Sequence, residues 1–269
     1  MRWPLVLVML LSACAQSNKP SAPPSSGNAA ATDPSKGGDA PQTDDDGPLT
    51  WHTLTANGET VEYATVGTPG GGPVLLALPP GPQTREMVAA GLDPWADAMA
   101  EDGWFVVSPV SPSGLFFTDS AGIVPAFVDA AAATHGFEPT GLHVFGMSNG
   151  GISAFTAAIA EPDRFAAVVT MPGRPTDEDM EGLDALSQVP VTIVVGADDE
   201  AFWVEGAVAA EAKLQAAGGS IVLTTLPGTG HAAHIAYDWP ALRELFAPPT
   251  TSAPEPPVAA ETSAPSAAP

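Results

Sequence analysis

The 269-residue chain has a single cysteine, Cys14. No second thiol exists for a disulfide, and the rest of the chain has none for a metal site or thiol catalysis. Basic side chains are scarce, with 8 Lys and Arg against 31 Asp and Glu and a net charge of −23. The deficit belongs to the central segment 48–247, which carries 24 acidic and 5 basic residues. So negative a field repels phosphate backbones and anionic lipid head groups, excluding nucleic acid as a partner. It fits a soluble extracytoplasmic protein in a salty habitat, where screening relieves self-repulsion. The N-terminal apolar run, Leu5 to Leu11, is seven residues long. A bilayer takes about twenty, so this run cannot be a transmembrane helix. No internal repeat is present.

What the N-terminus does contain is a basic Arg2, the short apolar run and then Leu11-Ser12-Ala13-Cys14. This is the order of a secretory signal. The last four residues resemble the lipobox of bacterial lipoproteins. That resemblance implies cleavage after residue 13, lipidation of Cys14, and a membrane-tethered protein on the periplasmic or cell-surface side. Residues 15–47 are rich in Pro, Ser, Gly, Asn and Asp, and 248–269 in Pro, Ala, Ser and Thr. Neither stretch has the apolar surface to offset ordering, so both read as flexible, the first a tether and the second a tail. Asp44-Asp45-Asp46 reads as a solvated acidic run at the end of the tether. Residues 48–247 are long enough for one domain with a substantial core.

Within that domain, strand-like and helix-like runs alternate. Trp51–Ala56 and Glu59–Val66, joined by Asn57-Gly58, predict a hairpin. Strands are then expected over Pro73–Leu78, Trp104–Pro109, Leu142–Phe145, Ala166–Met171, Val189–Val195 and Ile221–Leu226. Helices are expected over Met87–Glu101, Ile123–His135 (capped by Gly136), Gly150–Ala160, Ala201–Ala217 and Trp239–Phe246. An antiparallel start followed by βα repeats specifies an α/β fold, mostly a parallel sheet with helices on both faces. Only 17 residues separate Met171 from Val189, too few for a large lid.

The most informative segment is Gly146-Met147-Ser148-Asn149-Gly150, lying between one of these strands and its helix. A serine at the apex of a strand-to-helix turn, with glycines two residues to either side, is a nucleophile elbow. Serine is a weak nucleophile until a base lies in reach and a third group orients that base. In such a sheet those groups come from loops at the carboxyl ends of strands. Asp198-Asp199 follows one strand, and His231 follows the last, after Gly228-Thr229-Gly230. The order serine, acid, histidine is that of an α/β-hydrolase triad.

Residues 51–246 resemble an α/β-hydrolase, and are most similar to small bacterial esterases of the polyhydroxybutyrate depolymerase and feruloyl esterase group. Their elbow commonly reads Gly-Met-Ser-Asn-Gly-Gly, as residues 146–151 do. The resemblance implies Ser148 as nucleophile, Asp199 as acid, His231 as base, and the Asn149 N–H as half of an oxyanion hole. It implies no cofactor and a small-molecule or polymeric ester as substrate. One departure stands out: where the family usually has His-Gly, this chain has Leu78-Pro79-Pro80-Gly81-Pro82. Proline has no N–H, so Gly81 is the one backbone donor from 79 to 82.

Alternatives remain at several positions. Asp198 competes with Asp199 as acid, and His234 with His231 as base. The two histidines lack a third ligand at metal spacing. His143 reads as a satisfied histidine at the sheet, and His52 and His135 as surface positions. Trp203 and Ser113–Phe117 fit either an acyl pocket or ordinary packing. Peptidase or thioesterase chemistry would use the same triad. A non-catalytic lipoprotein on a hydrolase scaffold is the more distant alternative.

Overall fold

The computed structural model describes residues 45–46, 48–120 and 122–247. The signal segment, Cys14, the tether up to residue 44 and the tail 248–269 lie outside the described residues. Among the described residues no helix is long and apolar enough to cross a membrane.

Among the described residues, nine strands form one sheet: β1 (Asp45–Asp46), β2 (Leu49–Ala56), β3 (Glu59–Val66), β4 (Val74–Leu78), β5 (Phe105–Pro109), β6 (Leu142–Gly146), β7 (Phe165–Thr170), β8 (Val191–Gly196) and β9 (Ile221–Leu226). Their spatial order is β1-β2-β3-β5-β4-β6-β7-β8-β9. The pairs β1/β2, β2/β3 and β3/β5 are antiparallel, and from β5 onward every pair is parallel. The expected α/β architecture with an antiparallel N-terminal hairpin is therefore present. At the hairpin tip, Asn57 and Gly58 have φ of 52° and 83°. Positive φ at both central residues is the requirement of a type I′ turn. Asp45–Asp46, in the acidic run before the domain, extends the sheet, pairing with Thr50 and Leu49.

Among the described residues, seven helices accompany the sheet: α1 (Arg85–Leu92), α2 (Ala96–Glu101), α3 (Ile123–His135), α4 (Asn149–Ala160), α5 (Asp177–Glu181), α6 (Ala201–Ala216) and α7 (Trp239–Glu244). Side chains alternate across each strand, so the sheet carries two apolar layers. Leu76 and Leu78 of β4 join Phe127 of α3, Phe155 of α4 and Leu214 of α6 on one face. Leu75 and Ala77 join Val88 of α1, Met99 of α2 and Leu242 of α7 on the other. The single helix expected over 87–101 is instead two, α1 and α2. Pro94 lies between them: it has no N–H to continue the helical ladder, and Trp95 after it leaves the helical region at φ −128° and ψ −8°. Between β7 and β8 stand α5 and a short 3₁₀ turn, Leu183–Gln188, whose Leu183 and Leu186 are buried in the α3/α4/α6 layer. That connection packs onto the domain and forms no lid.

The chain runs from β4 outward to β5 and then returns to β6 on the other side of β4. Such a switch in direction opens a crevice beyond the carboxyl ends of the two strands. Leu78 and Gly146 are paired at that point. The loops leaving them, 79–83 and 147–149, therefore face each other across the crevice.

Candidate active site

Ser148 sits between β6 and α4 with φ 56° and ψ −121°. A non-glycine residue held in a sparsely populated region costs on the order of 1–3 kcal/mol, so the surroundings must impose it. Its N–H donates to the Pro172 carbonyl at 2.8 Å, and its own carbonyl accepts from Gly151 and Ile152 at 2.8 and 3.1 Å. The flanking glycines are sterically required. A Cβ on Gly146 would lie 2.1 Å from the Gly150 oxygen, one on Gly150 2.0 Å from the Leu78 oxygen, and one on Gly151 2.4 Å from the Pro172 oxygen. The turn thus wedges α4 against the ends of β4 and β7, with Ser148 raised at its crest.

The loops after β8 and β9 are joined to one another. Ala197 N–H donates to Leu226 O and Asp198 N–H to Thr229 O, both at 2.9 Å. Gly196 lies so close beneath that a Cβ there would stand 2.2 Å from the Thr229 and Gly230 oxygens. These contacts carry Asp199 and His231 to the same place. His231 Nδ1 lies 3.0 and 3.1 Å from the two Asp199 carboxylate oxygens, and His231 Nε2 lies 2.9 Å from Ser148 Oγ. Asp199 Oδ1 also accepts from the Glu200 N–H at 2.8 Å. The Asp199 side chain is 1% exposed, whereas that of His231 is 46% exposed. A shielded carboxylate thus meets one ring nitrogen, while the ring and its other nitrogen face an open site. Of the two candidate acids, Asp199 meets the histidine.

None of the other histidines is hydrogen-bonded to Ser148. His234 packs its ring on Trp95, in a 3₁₀ turn, Ala233–Ala236. His143 lies on Trp104 and Phe246 with ring centroids 5.0 and 5.4 Å apart. Its Nδ1 is buried without a hydrogen-bond partner, which corrects the expectation of a satisfied residue. Strand alternation sends that ring into an aromatic layer that offers no acceptor. His52 and His135 are also corrected, being half-buried and bonded to Thr65 Oγ1 (2.9 Å) and the Tyr63 hydroxyl (2.8 Å). Burial lowers the pKa of all four below 6.5, and His52 lowers that of His135 further. Among the described residues no three His, Cys, Asp or Glu side chains are grouped to hold a metal ion.

Gly81 lies across the crevice with φ +57°. A hydrogen bond from the Gln83 N–H to Pro80 O (3.1 Å) closes a turn with Gly81 and Pro82 at its centre. Proline fixes Pro82 at negative φ, so the turn is of type II′ and the glycine is required at its first central position. The Asn149 amide group donates to Gly81 O at 2.9 Å, tying the loop to the head of α4. Among the described residues, the N–H groups of Gly81 and Asn149 have no hydrogen-bond acceptor.

Trp203 is a core residue of α6 whose ring lies 5.0 Å from that of His231, so it supports the imidazole from below. Phe116 is buried in the core while Phe117 packs at its margin, so the 113–117 stretch is chiefly packing. Two residues beside the site carried no motif. Phe202 is 50% exposed, and Arg174 lays its guanidinium on that ring at 4.4 Å while donating to Asp177 at 2.7 Å. Gln83, buried beneath the proline loop, is the third. Its one-letter signal was a polar residue inside a Pro-rich turn, which sequence alone does not distinguish from a surface position.

No family model matches the chain, and no curated protein matches it. Solved structures do. A thermostable esterase matches at TM-score 0.60 and 17% identity over 74% of this chain. The fold is that of the α/β-hydrolases. A ferulic acid esterase superposes on 73% of this chain at TM-score 0.54 and 15% identity, covering 93% of its own length. An S-formylglutathione hydrolase from Agrobacterium tumefaciens matches over 70% of this chain and 90% of its own, at TM-score 0.55 and 14% identity. The chain spans 62% of the thermostable esterase.

Proposed function

We propose that this protein is a serine hydrolase of carboxylic esters, with Ser148, His231 and Asp199 as its catalytic triad. The observation that carries the reading is the continuous contact from Asp199 through both nitrogens of His231 to Ser148 Oγ. As Ser148 Oγ bonds to the ester carbonyl carbon, its proton passes to His231 Nε2. Asp199 keeps the other ring nitrogen protonated and stabilises the imidazolium. The carbonyl oxygen, now an oxyanion, accepts from the N–H groups of Asn149 and Gly81. Collapse expels the alkoxide, which takes the proton from His231, and leaves an acyl-serine. Water then gives its proton to His231 and its oxygen to the acyl carbon, releasing the acid and restoring Ser148. No step needs a cofactor.

The exposure of His231 and the packed β7–β8 connection favour an open site, suited to short esters or to esters on a polymer or carbohydrate. The N-terminal sequence supports a protein lipidated at Cys14 and held outside the cytoplasm on residues 15–47. Multiple acyl chains give stable anchoring at about 0.8 kcal/mol per buried CH₂. Cys14→Ser should release the protein from the membrane fraction, and unchanged retention contradicts the anchor.

The test of activity is hydrolysis of p-nitrophenyl acetate beside a thioester and a peptide p-nitroanilide. Ester turnover in the wild type and its loss in Ser148→Ala support the proposal. Equal turnover by Ser148→Ala, or turnover of the anilide alone, contradicts it.

A further inference from the structure

Loop 79–83 has lost N–H groups at Pro79, Pro80 and Pro82, so little of its own backbone can hold it in place. What holds it is Gln83, which is 0% exposed. Its side-chain nitrogen donates to Pro79 O at 3.1 Å and to Ser153 Oγ at 2.9 Å, and its side-chain oxygen accepts from the Phe116 N–H at 2.7 Å. Its backbone N–H closes the turn on Pro80 O, and its carbonyl accepts from the Ser111 N–H at 3.0 Å. The amide orientation follows from these partners: an N–H donor faces Oε1, and Pro79 O, an obligate acceptor, faces Nε2. Every donor of this buried amide is satisfied.

The contacts close a circuit. Ser153 Oγ accepts from Gln83 and donates to the Asn149 carbonyl at 2.9 Å. The Asn149 side chain donates to Gly81 O, and the Gly81 turn is closed by Gln83 itself. Asn149 and Gly81 are the two residues whose N–H groups would share the oxyanion. Resting on the serine-hydrolase reading above, we propose that Gln83 is a positioning residue. It sets the distance between the two oxyanion donors by bonding the proline turn to the first turn of α4 through Ser153. In a loop whose prolines removed the alternatives, the buried amide supplies the rigidity an oxyanion hole needs before the charge develops.

The test is Gln83→Met, which keeps length and volume but cannot donate or accept as the amide does. Turnover of p-nitrophenyl acetate is measured per active site, titrated with a fluorophosphonate. A role confined to folding lowers the titrated fraction and the melting temperature but leaves kcat per titrated site unchanged. The positioning role predicts a fall in kcat of about 10² per titrated site with little change in KM, the size seen when one oxyanion donor is lost. Ser153→Ala is the second variant. It leaves the Gln83 side chain in place but cuts its link to Asn149, and it is expected to lower kcat about tenfold. Should Gln83→Met fail to fold, Ser153→Ala decides. If the folded variants turn over within about twofold of wild type per site, the positioning role is wrong while the hydrolase reading stands. A wild type that neither turns over ester nor takes up the probe overturns both.

Discussion

Substituting alanine at Gly150 probes how closely the turn at Ser148 is fitted to the proline loop after β4. Gly150 is the second residue of α4, and a Cβ there would stand 2.0 Å from the Leu78 carbonyl oxygen and 2.7 Å from that of Pro79. Real Cβ contacts do not fall below 3.0 Å, and both neighbours are backbone, so no side chain can swing aside. The first turn of α4 and the end of β4 must therefore separate by about 1 Å. Overpacking of this kind costs about 1–3 kcal/mol, which a domain of this size can tolerate. The same 1 Å separates the Asn149 N–H on α4 from the Gly81 N–H on the loop after β4. Misplacement of that size costs about 10² in rate. Gly150→Ala is thus expected to fold, to melt a few degrees lower, and to lose about 10² in kcat for p-nitrophenyl acetate. Gly70→Ala, at an exposed position with nothing within 4 Å, is the control and should match wild type. Wild-type kcat in a folded Gly150→Ala protein would refute the claim that this contact sets the geometry of the site.

Other consequences follow from the same structure. Asp199→Asn should lower kcat by about 10⁴, because the amide no longer holds His231 in the required tautomer; a loss under about tenfold in steady-state assays would contradict that role. Stability should fall on acidification. His52, His135, His143 and His234 have folded pKa values below 6.5, so below that pH the unfolded chain binds more protons than the native one. Their contribution is present above pH 6.5 and is lost as pH falls through it. Melting temperatures measured from pH 8 to 5 should decline, less steeply in His143→Phe, and a flat or rising profile would contradict the assignment.

Much of the fold was legible because its signals are local. Helix α3 ends at Gly136, whose φ of 74° is the left-handed cap that a glycine at that position announces. The contact of Ser148, His231 and Asp199 was legible because the turn at Ser148, the Asp198-Asp199 loop and the His231 loop each follow a strand in chain order. What escaped depends on contacts between distant residues. Pro94 divides a helix that apolar spacing alone ran through. His135 became half-buried because Tyr63, 72 residues away, reaches its ring. Gln83 stood in a turn without a motif, and its partner Ser153 lies 70 residues on. Only folding brings such pairs together.

The most direct test of the account is covalent. After incubation with a fluorophosphonate, intact mass and peptide mapping should show one adduct per chain, on Ser148. It should be absent from Ser148→Ala and form far more slowly in His231→Ala. An unmodified protein, or an adduct that persists when Ser148 is replaced, would contradict the assignment of that serine as the nucleophile.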